Sequence, residues 1–319
     1  MAKSLSEYLD WLCGRSELIW PRPPAPKPLK ATPFLKPLPG IRAVVWSVYG
    51  TLLRIDGGRL YHVHPQQLRM QIALEKTIEE FRMWQSMSRK PGAPWEYMLQ
   101  QYTRAVEEEL LKPTRKKGDQ REVDSCRVWG KLIERLQHNE YQYDRAFYGS
   151  TEDLAQKIAY FFHASLQGVA ASDGIVDTLR RLSSAGLRQG VLDDGQSFTP
   201  AQLLLALQQQ APFHSLAEAF TAGAMTLSAD QQVKKPSQTL FGAGFAPLLK
   251  LGIQPQEILY VSHRLDDDLA VARKLGVRTA LYAGDAVVCQ VQPASVRDPA
   301  LKPDRLLTNL NQIGEILGV

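Results

Sequence analysis

The 319-residue chain exceeds the usual size of one compact domain, so a core with an inserted or appended module is the first expectation. With 44% hydrophobic and 22% charged residues it can bury a sizeable core, which excludes a wholly disordered, collagen-like or disulfide-scaffold protein. Its 38 Lys and Arg against 33 Asp and Glu leave a net charge of +5, which favours anionic ligands but is too small to indicate nucleic acid without a basic stripe. The densest basic stretch, Lys112 to Lys117, falls at a helix break and reads as a solvated loop. Cys13, Cys126 and Cys289 lie far apart with no CxxC, which fits a reducing, cytoplasmic setting and excludes a cysteine zinc site of the usual spacing. No apolar run reaches the ~18–20 residues of a membrane span. Lys3 is followed by no apolar stretch of the kind a signal peptide needs, so no membrane association is expected.

In residues 3–20, Leu5, Leu9, Leu12 and Ile19 recur at near-helical spacing beside Tyr8 and Trp11, which predicts a short amphipathic helix. From Trp20 to Gly40 the prolines forbid helix and sheet ladder, so residues 1–40 read as an arm whose proline-rich half is an extended linker or a strap along the core. Ile41–Trp46 is a β-branched apolar run after Pro-Gly and predicts a buried strand. Thr51–Ile55 and Arg59–Val63, around Asp56-Gly57-Gly58, predict a hairpin.

Residues 65–167 carry helical periodicity. Leu74, Ile78 and Phe81 form one stripe; Trp95, Met98, Tyr102 and Ala105 a second; Val123, Cys126, Leu132, Ile133 and Leu136 a third. Asp153 is placed to cap a further helix that carries Leu154, Ile158 and Phe161. From residue 168 on the pattern alternates: helix 175–185, strand 189–192, helix 200–208, strand 224–227, helix 237–251, strand 257–261, helix 267–275 and strand 278–282. This order predicts an α/β fold: 41–64 with 168–319 as a parallel sheet flanked by helices, and 65–167 as a helical insert. Ligands of such sheets bind at the carboxyl ends of the strands.

Four strand-end segments follow one another in order. They are Trp46-Ser47-Val48-Tyr49-Gly50-Thr51-Leu52, Leu192-Asp193-Asp194-Gly195, Lys234-Lys235-Pro236, and Ser262-His263 with Asp266-Asp267-Asp268. The series resembles the haloacid dehalogenase (HAD) superfamily, with its D-x-Y/D-G-T-L, a strand ending in Ser or Thr, Lys-Pro, and G-D-x-x-x-x-D. The resemblance spans about residues 41–316 and implies a HAD-like Rossmannoid fold in which 65–167 is a C1-type cap. It also implies a site at Ser47, Tyr49, Asp193, Lys235, His263 and Asp268, with Gly50, Thr51, Asp194 and Gly195 as ligand-binding positions. The family's active members attack with a carboxylate on the first strand, hold Mg²⁺ on carboxylates, and bind phosphoryl oxygens with Ser/Thr and Lys.

This sequence departs from the pattern at the chemistry. Ser47 stands where the nucleophilic Asp is expected, Tyr49 at the acid/base position, Asp193 where Ser or Thr is usual, and Ser262-His263 in place of Gly-Asp. Asp268 is the remnant metal carboxylate, so no metal site is expected and any Mg²⁺ binding should be weak; no cofactor is expected. Ser47 would need a base, for which His263 is the candidate; His62 and His64 are candidates for a metal cluster with His263. A Ser47–His263 pair and an Asp193–Lys235 ion pair in the former phosphate site are the two specific arrangements to look for. The alternative to the second has Asp193 pointing to solvent and Lys235 on a carbonyl. The expected function is a non-catalytic pseudo-hydrolase that binds a small-molecule anion or a protein partner. The alternative is an active hydrolase of a phosphoester or 2-haloacid-like molecule with rewired residues.

Overall fold

The computed structural model describes residues 2–87, 92–289, 291–299 and 301–319. The chain begins with α1 (Leu5–Cys13), where the Ser4 hydroxyl accepts from the Glu7 N–H and the Glu7 carboxylate accepts from the Ser4 N–H. The irregular remainder of the arm leads to β1 (Ala43–Trp46) and β2 (Leu53–Ile55). A helical layer follows: α2 (Gln67–Glu80), α3 (Pro94–Leu110), the two-residue β3 (Gln120–Arg121), α4 (Ser125–Gln137), the single turn α5 (Arg145–Tyr148) and α6 (Thr151–Leu166). The chain returns through β4 (Val169–Ala171), α7 (Ile175–Ser184), β5 (Arg188–Asp193), α8 (Thr199–Gln208), β6 (Met225–Leu227), α9 (Ser228–Gln231), β7 (Val233–Lys234) and α10 (Gln238–Lys250). It closes with β8 (Ile258–Ser262), a π-turn over Leu265–Leu269 that runs into α11 (Ala270–Lys274), β9 (Arg278–Tyr282), α12 (Pro293–Arg297), β10 (Arg305–Leu307) and α13 (Ile313–Leu317).

Six strands form one parallel sheet in the order β10-β9-β8-β1-β5-β6. All four β1 side chains are buried, Val44 and Trp46 in the apolar layer on one face of the sheet, Ala43 and Val45 in the layer on the other. A strand apolar on both sides needs cover on both sides, which is why helices flank the sheet. Register sets Trp46 opposite Val191 on β5 and Val261 on β8. The residues just beyond, Ser47, Asp193 and Ser262, therefore emerge side by side at the carboxyl edge. A third apolar cluster fills the helical layer and takes in Tyr8, Leu9 and Leu12 of α1. The layer lies over the carboxyl edge: the amide of Gln196, just past β5, donates to the Val123 carbonyl and accepts from the Ser125 N–H. Among the described residues no helix is long and apolar enough to cross a membrane.

Two expectations need correction, and one feature is new. β2 makes no hairpin with residues 59–63; it pairs antiparallel with β4. The turn over Asp56–Gly58 does form, but its outgoing backbone is held by the side chain of Gln167, which donates to the Asp56 and Arg59 carbonyls and accepts from the Tyr61 N–H. β3 and β7, unforeseen, form a small antiparallel ribbon that stitches the helical layer to the core. The helix read over 267–275 is a π-turn followed by only five α-helical residues. The capping of α6 by Ser150 and Asp153, and the burial of Leu154, Ile158 and Phe161, agree with the sequence reading. The proline-rich arm follows the strap reading: Phe34 bridges to Leu306 on β10 and the Leu38 N–H donates to the Ile316 carbonyl.

Gln189 on β5 is fully buried and fully used. Its carbonyl accepts from the Trp46 indole at 3.1 Å, and its amide nitrogen reaches the Leu179 carbonyl, the Ser183 hydroxyl and the Ala219 carbonyl at 2.8–3.2 Å. Gln189→Ala strands the indole and these acceptors in an apolar layer. It should lower unfolding free energy by about 2–4 kcal/mol, read from urea denaturation, without changing the far-ultraviolet spectrum.

Candidate functional site

The Asp193 carboxylate, at the end of β5, reaches across to the turn after β1. Its Oδ2 accepts from two successive backbone N–H groups, Val48 at 3.0 Å and Tyr49 at 2.7 Å, while its Oδ1 accepts from the Ser47 hydroxyl at 2.8 Å. The Lys235 ammonium sits on the same Oδ1 at 2.6 Å and also donates to the Ser47 oxygen at 3.2 Å. Consecutive N–H groups converging on one oxygen make an anion-binding concavity. Here a side chain of the protein fills it. Ser47, Asp193 and Lys235 are all buried, so nothing of this arrangement faces bulk water.

Lys235 is shared. Its Nζ lies 2.8 Å from Asp268 Oδ2, which also accepts from Ser262 Oγ at 2.5 Å and Tyr260 OH at 3.1 Å. The other Asp268 oxygen takes Arg264 Nε at 3.1 Å, and the two terminal nitrogens of Arg264 reach Asp194 Oδ2 at 3.3 Å. Burial alone would raise the Asp268 carboxyl, but the charges of Arg264 and Lys235 outweigh it and hold the group well below the usual carboxylate range. Burial works against the charged form of Lys235 too, and the charges of Asp193 and Asp268 overcome it, raising its pKa well above normal. Asp194 comes out the other way. Burial, with help from Glu122 and Asp193, defeats the attraction of Lys235 and Arg264 and pushes it up to about 7.

His263, at the position after β8, is a wedge. Its ring lies so close to Gly50 (φ +79°) that a Cβ there would overlap it, and its Nε2 would stand 2.8 Å from a Cβ at Gly58 (φ +64°). Nδ1 makes a 3.4 Å contact with Thr51 Oγ1, and burial pushes the imidazole down to about 4, so it is neutral at pH 7. The sequence-proposed Ser47–His263 pair therefore does not form: Ser47 is engaged by Asp193 and Lys235. Nor do His62, His64 and His263 share partners. His62 contacts Ser125 Oγ at 3.2 Å and Glu122 at 3.4 Å, and His64 lies 3.5 Å from Asp56. Tyr49 contributes its backbone N–H; its phenol points to Thr199 and Gln202, at 3.0 and 2.7 Å. Of the ligand-binding positions, Thr51 accepts from Ser172 through its carbonyl, Asp194 Oδ1 accepts from the Lys235 N–H, and the Gly195 carbonyl accepts from the Ala229 N–H.

Sequence reasoning anticipated the Asp193–Lys235 pair and missed Arg264, Ser262 and Tyr260 as partners of Asp268. The signal for Arg264 was an i,i+4 spacing to Asp268 at the opening of a helical turn. Among the described residues no group of three or more His, Cys, Asp or Glu is arranged to hold a metal ion.

No family model matches the sequence, and no curated protein does. Solved structures do. A 2-haloacid dehalogenase from Pseudomonas syringae pv. Tomato DC3000 is 19% identical, with 87% of this chain and 98% of that one covered and a TM-score of 0.52. A HAD phosphatase from Thermococcus onnurineus is 15% identical over 87% and 98% of the two chains, TM-score 0.48. The fold is that of the HAD structures.

Two outcomes follow from the charges. Lys235→Met leaves Asp193 and Asp268 buried without their shared cation and should cost about 3–5 kcal/mol, whereas Lys235→Met with Asp193→Asn should be the more stable of the two, a non-additivity that denaturant titration reads directly. Asp194, raised in the folded state, contributes stability below about pH 4 that is lost as pH rises towards 7. His263, depressed in the folded state, contributes stability above about pH 6.5 that is lost as pH falls towards 4. The two slopes oppose each other in one window. Relative to wild type, His263→Gln should become less stable as pH rises from 4 to 7, and Asp194→Asn more stable over the same interval.

Proposed function

From this HAD fold we propose that the protein is a pseudo-hydrolase, binding a protein partner, or a small-molecule anion outside the concavity that Asp193 fills, rather than turning over a phosphoester or 2-haloacid. The observation that carries the reading is the Asp193 carboxylate seated on the Val48 and Tyr49 N–H groups with Lys235 closed onto it. A substrate phosphate or carboxylate would have to displace an anion already held by two amides, a hydroxyl and an ammonium. Ser47 is a poor nucleophile, because Lys235 donates to its oxygen and lowers the electron density there. Removing a nucleophile costs on the order of 10⁶ in rate, about 8 kcal/mol, which positioning alone does not recover.

The Mg²⁺ that the fold group implies does not fit these residues. Both oxygens of Asp268 are occupied by cationic side chains, Arg264 and Lys235, and the neutral His263 ring fills the space beside Gly50 and Gly58. We derive no step through a metal. One arrangement favours the rewired-hydrolase alternative: Asp194, whose carboxyl burial pushes up to about 7, stands a fifth exposed at the outer end of the network, where a general acid or base could meet a substrate. The three free thiols, Cys13, Cys126 and Cys289, support a cytoplasmic setting.

Two measurements decide. Purified protein with Mg²⁺ should hydrolyse neither a phosphomonoester panel nor 2-chloropropionate above the rate of Ser47→Ala. Mg²⁺-dependent turnover abolished by that substitution would overturn the reading. Asp193→Ser should empty the concavity and give calorimetric binding of inorganic phosphate in the ~mM range, about 4 kcal/mol, where the wild type gives none. Phosphate binding by the wild type equal to that of the variant would count against a self-occupied site.

A further inference from the structure

We propose that the N-terminal arm is a strap that fixes the helical layer in one orientation over the carboxyl edge of the sheet, by fastening to the layer at one end, to the core at the other, and crossing the return linker between them. The inference stands on contacts outside the crevice and holds whether or not the crevice is catalytic.

The first fastening is on the helical layer. Tyr8, Leu9 and Leu12 of α1 are buried in its apolar cluster, and the Lys3 N–H donates to the Phe147 carbonyl at 3.0 Å. Arg15 makes a two-oxygen bond to Glu80 on α2, both at 2.7 Å, and Lys76 of the same helix donates to the Ile19 carbonyl. Trp20 closes this end with an edge-on contact to Phe161 of α6, 5.2 Å between ring centres. One guanidinium nitrogen of Arg15 thus bridges both oxygens of a Glu80 carboxylate whose side chain is largely shielded from solvent, while its Nε holds Glu17, so the arm is tied here through a charge-assisted contact.

The second fastening is on the core, at the far end of the sheet. The Lys27 N–H donates to Asp285 and its carbonyl accepts from the Ala286 N–H at 2.7 Å. Phe34 and Leu306 exchange both backbone bonds, Arg305 donates to the Lys36 and Pro37 carbonyls, and the Leu38 N–H reaches the Ile316 carbonyl at 2.8 Å. Between the fastenings, Pro21 and Arg22 lie directly on Gly168, where any Cβ would overlap the Pro21 carbonyl oxygen and the Arg22 backbone. Gly168 joins α6 to β4, so it is one of the two linkers of the helical layer; the other, residues 56–61, is pinned to the first by the Gln167 amide.

A layer on two linkers turns only if both linkers change their dihedrals. Here a turn must also lift the arm from Gly168 and release Arg15 and Trp20 at one end or Phe34 and Leu38 at the other. Proline makes the intervening segment stiff, so slack in residues 21–28 cannot absorb the motion.

The test uses the full chain with a site-specific protease sequence inserted between the exposed residues Ala25 and Pro26, cut after folding, so that every contact survives and only the covalent tie is lost. Amide exchange in residues 59–66 and 167–171 should accelerate by at least about tenfold in the cut protein, while β1 and β8 keep their protection. Gly168→Ala, which forces the arm off the linker, should give the same local signature in the uncut chain. Unchanged linker exchange in the cut protein would overturn the strap. So would acceleration spread equally through β1 and β8, since the arm would then be holding the whole fold rather than the linkers.

Discussion

One ammonium group, on Lys235, organises the carboxyl edge of this sheet. A lysine with no exposed side chain is tolerable only because two carboxylates meet it, one at the end of β5 and one in the π-turn after β8, and those carboxylates are tolerable only because it is there. Everything nearby is a consequence. Ser262, Tyr260 and Arg264 complete the shell of Asp268; the Val48 and Tyr49 amides complete that of Asp193; and Arg264 carries the network outward to Asp194. Removing one member exposes another to an apolar surrounding, so the group behaves as a unit.

The arrangement also sorts three ionisable groups by environment. Asp268, touched by two cations, stays charged; Asp194, with a guanidinium shared at 3.3 Å and two acidic neighbours, does not hold its charge so firmly. His263, with no carboxylate in hydrogen-bond contact, is neutral and serves as packing between Gly50 and Gly58, two positions whose left-handed backbone favours glycine. The groups at this carboxyl edge thus satisfy one another.

Much of this was legible in the residues. Alternating strand and helix texture after residue 168, and three-four spacing of apolar residues before it, announced both the parallel sheet and the helical layer. The Asp193–Lys235 contact was readable because a new carboxylate at one strand end and a lysine at the next have few other partners. What stayed hidden depends on distance in sequence. No local rule says that Gln167 takes the place of a hairpin partner for residues 56–61, or that Gln120–Arg121 adds a ribbon to Val233–Lys234. The Ser47–His263 pairing failed because imidazole volume, not basicity, decided where His263 went: the space between Gly50 and Gly58 accepts a flat ring and leaves it facing Thr51.

The arm has a kinetic side. Phe34 and Leu38 precede β1, the centre of the sheet, yet their backbone partners are Leu306 and Ile316, so these bonds close loops of about 270 and about 280 residues. Contacts of such long range form after the local ones, and the proline-rich stretch has no ladder of its own to wait in. The α1 end can seat once the helical layer it packs on is in place, but the Phe34 and Leu38 half has no partner until β10 and the segment after it are made. β10 is in this sense the anchor of a segment that precedes every other strand of the sheet.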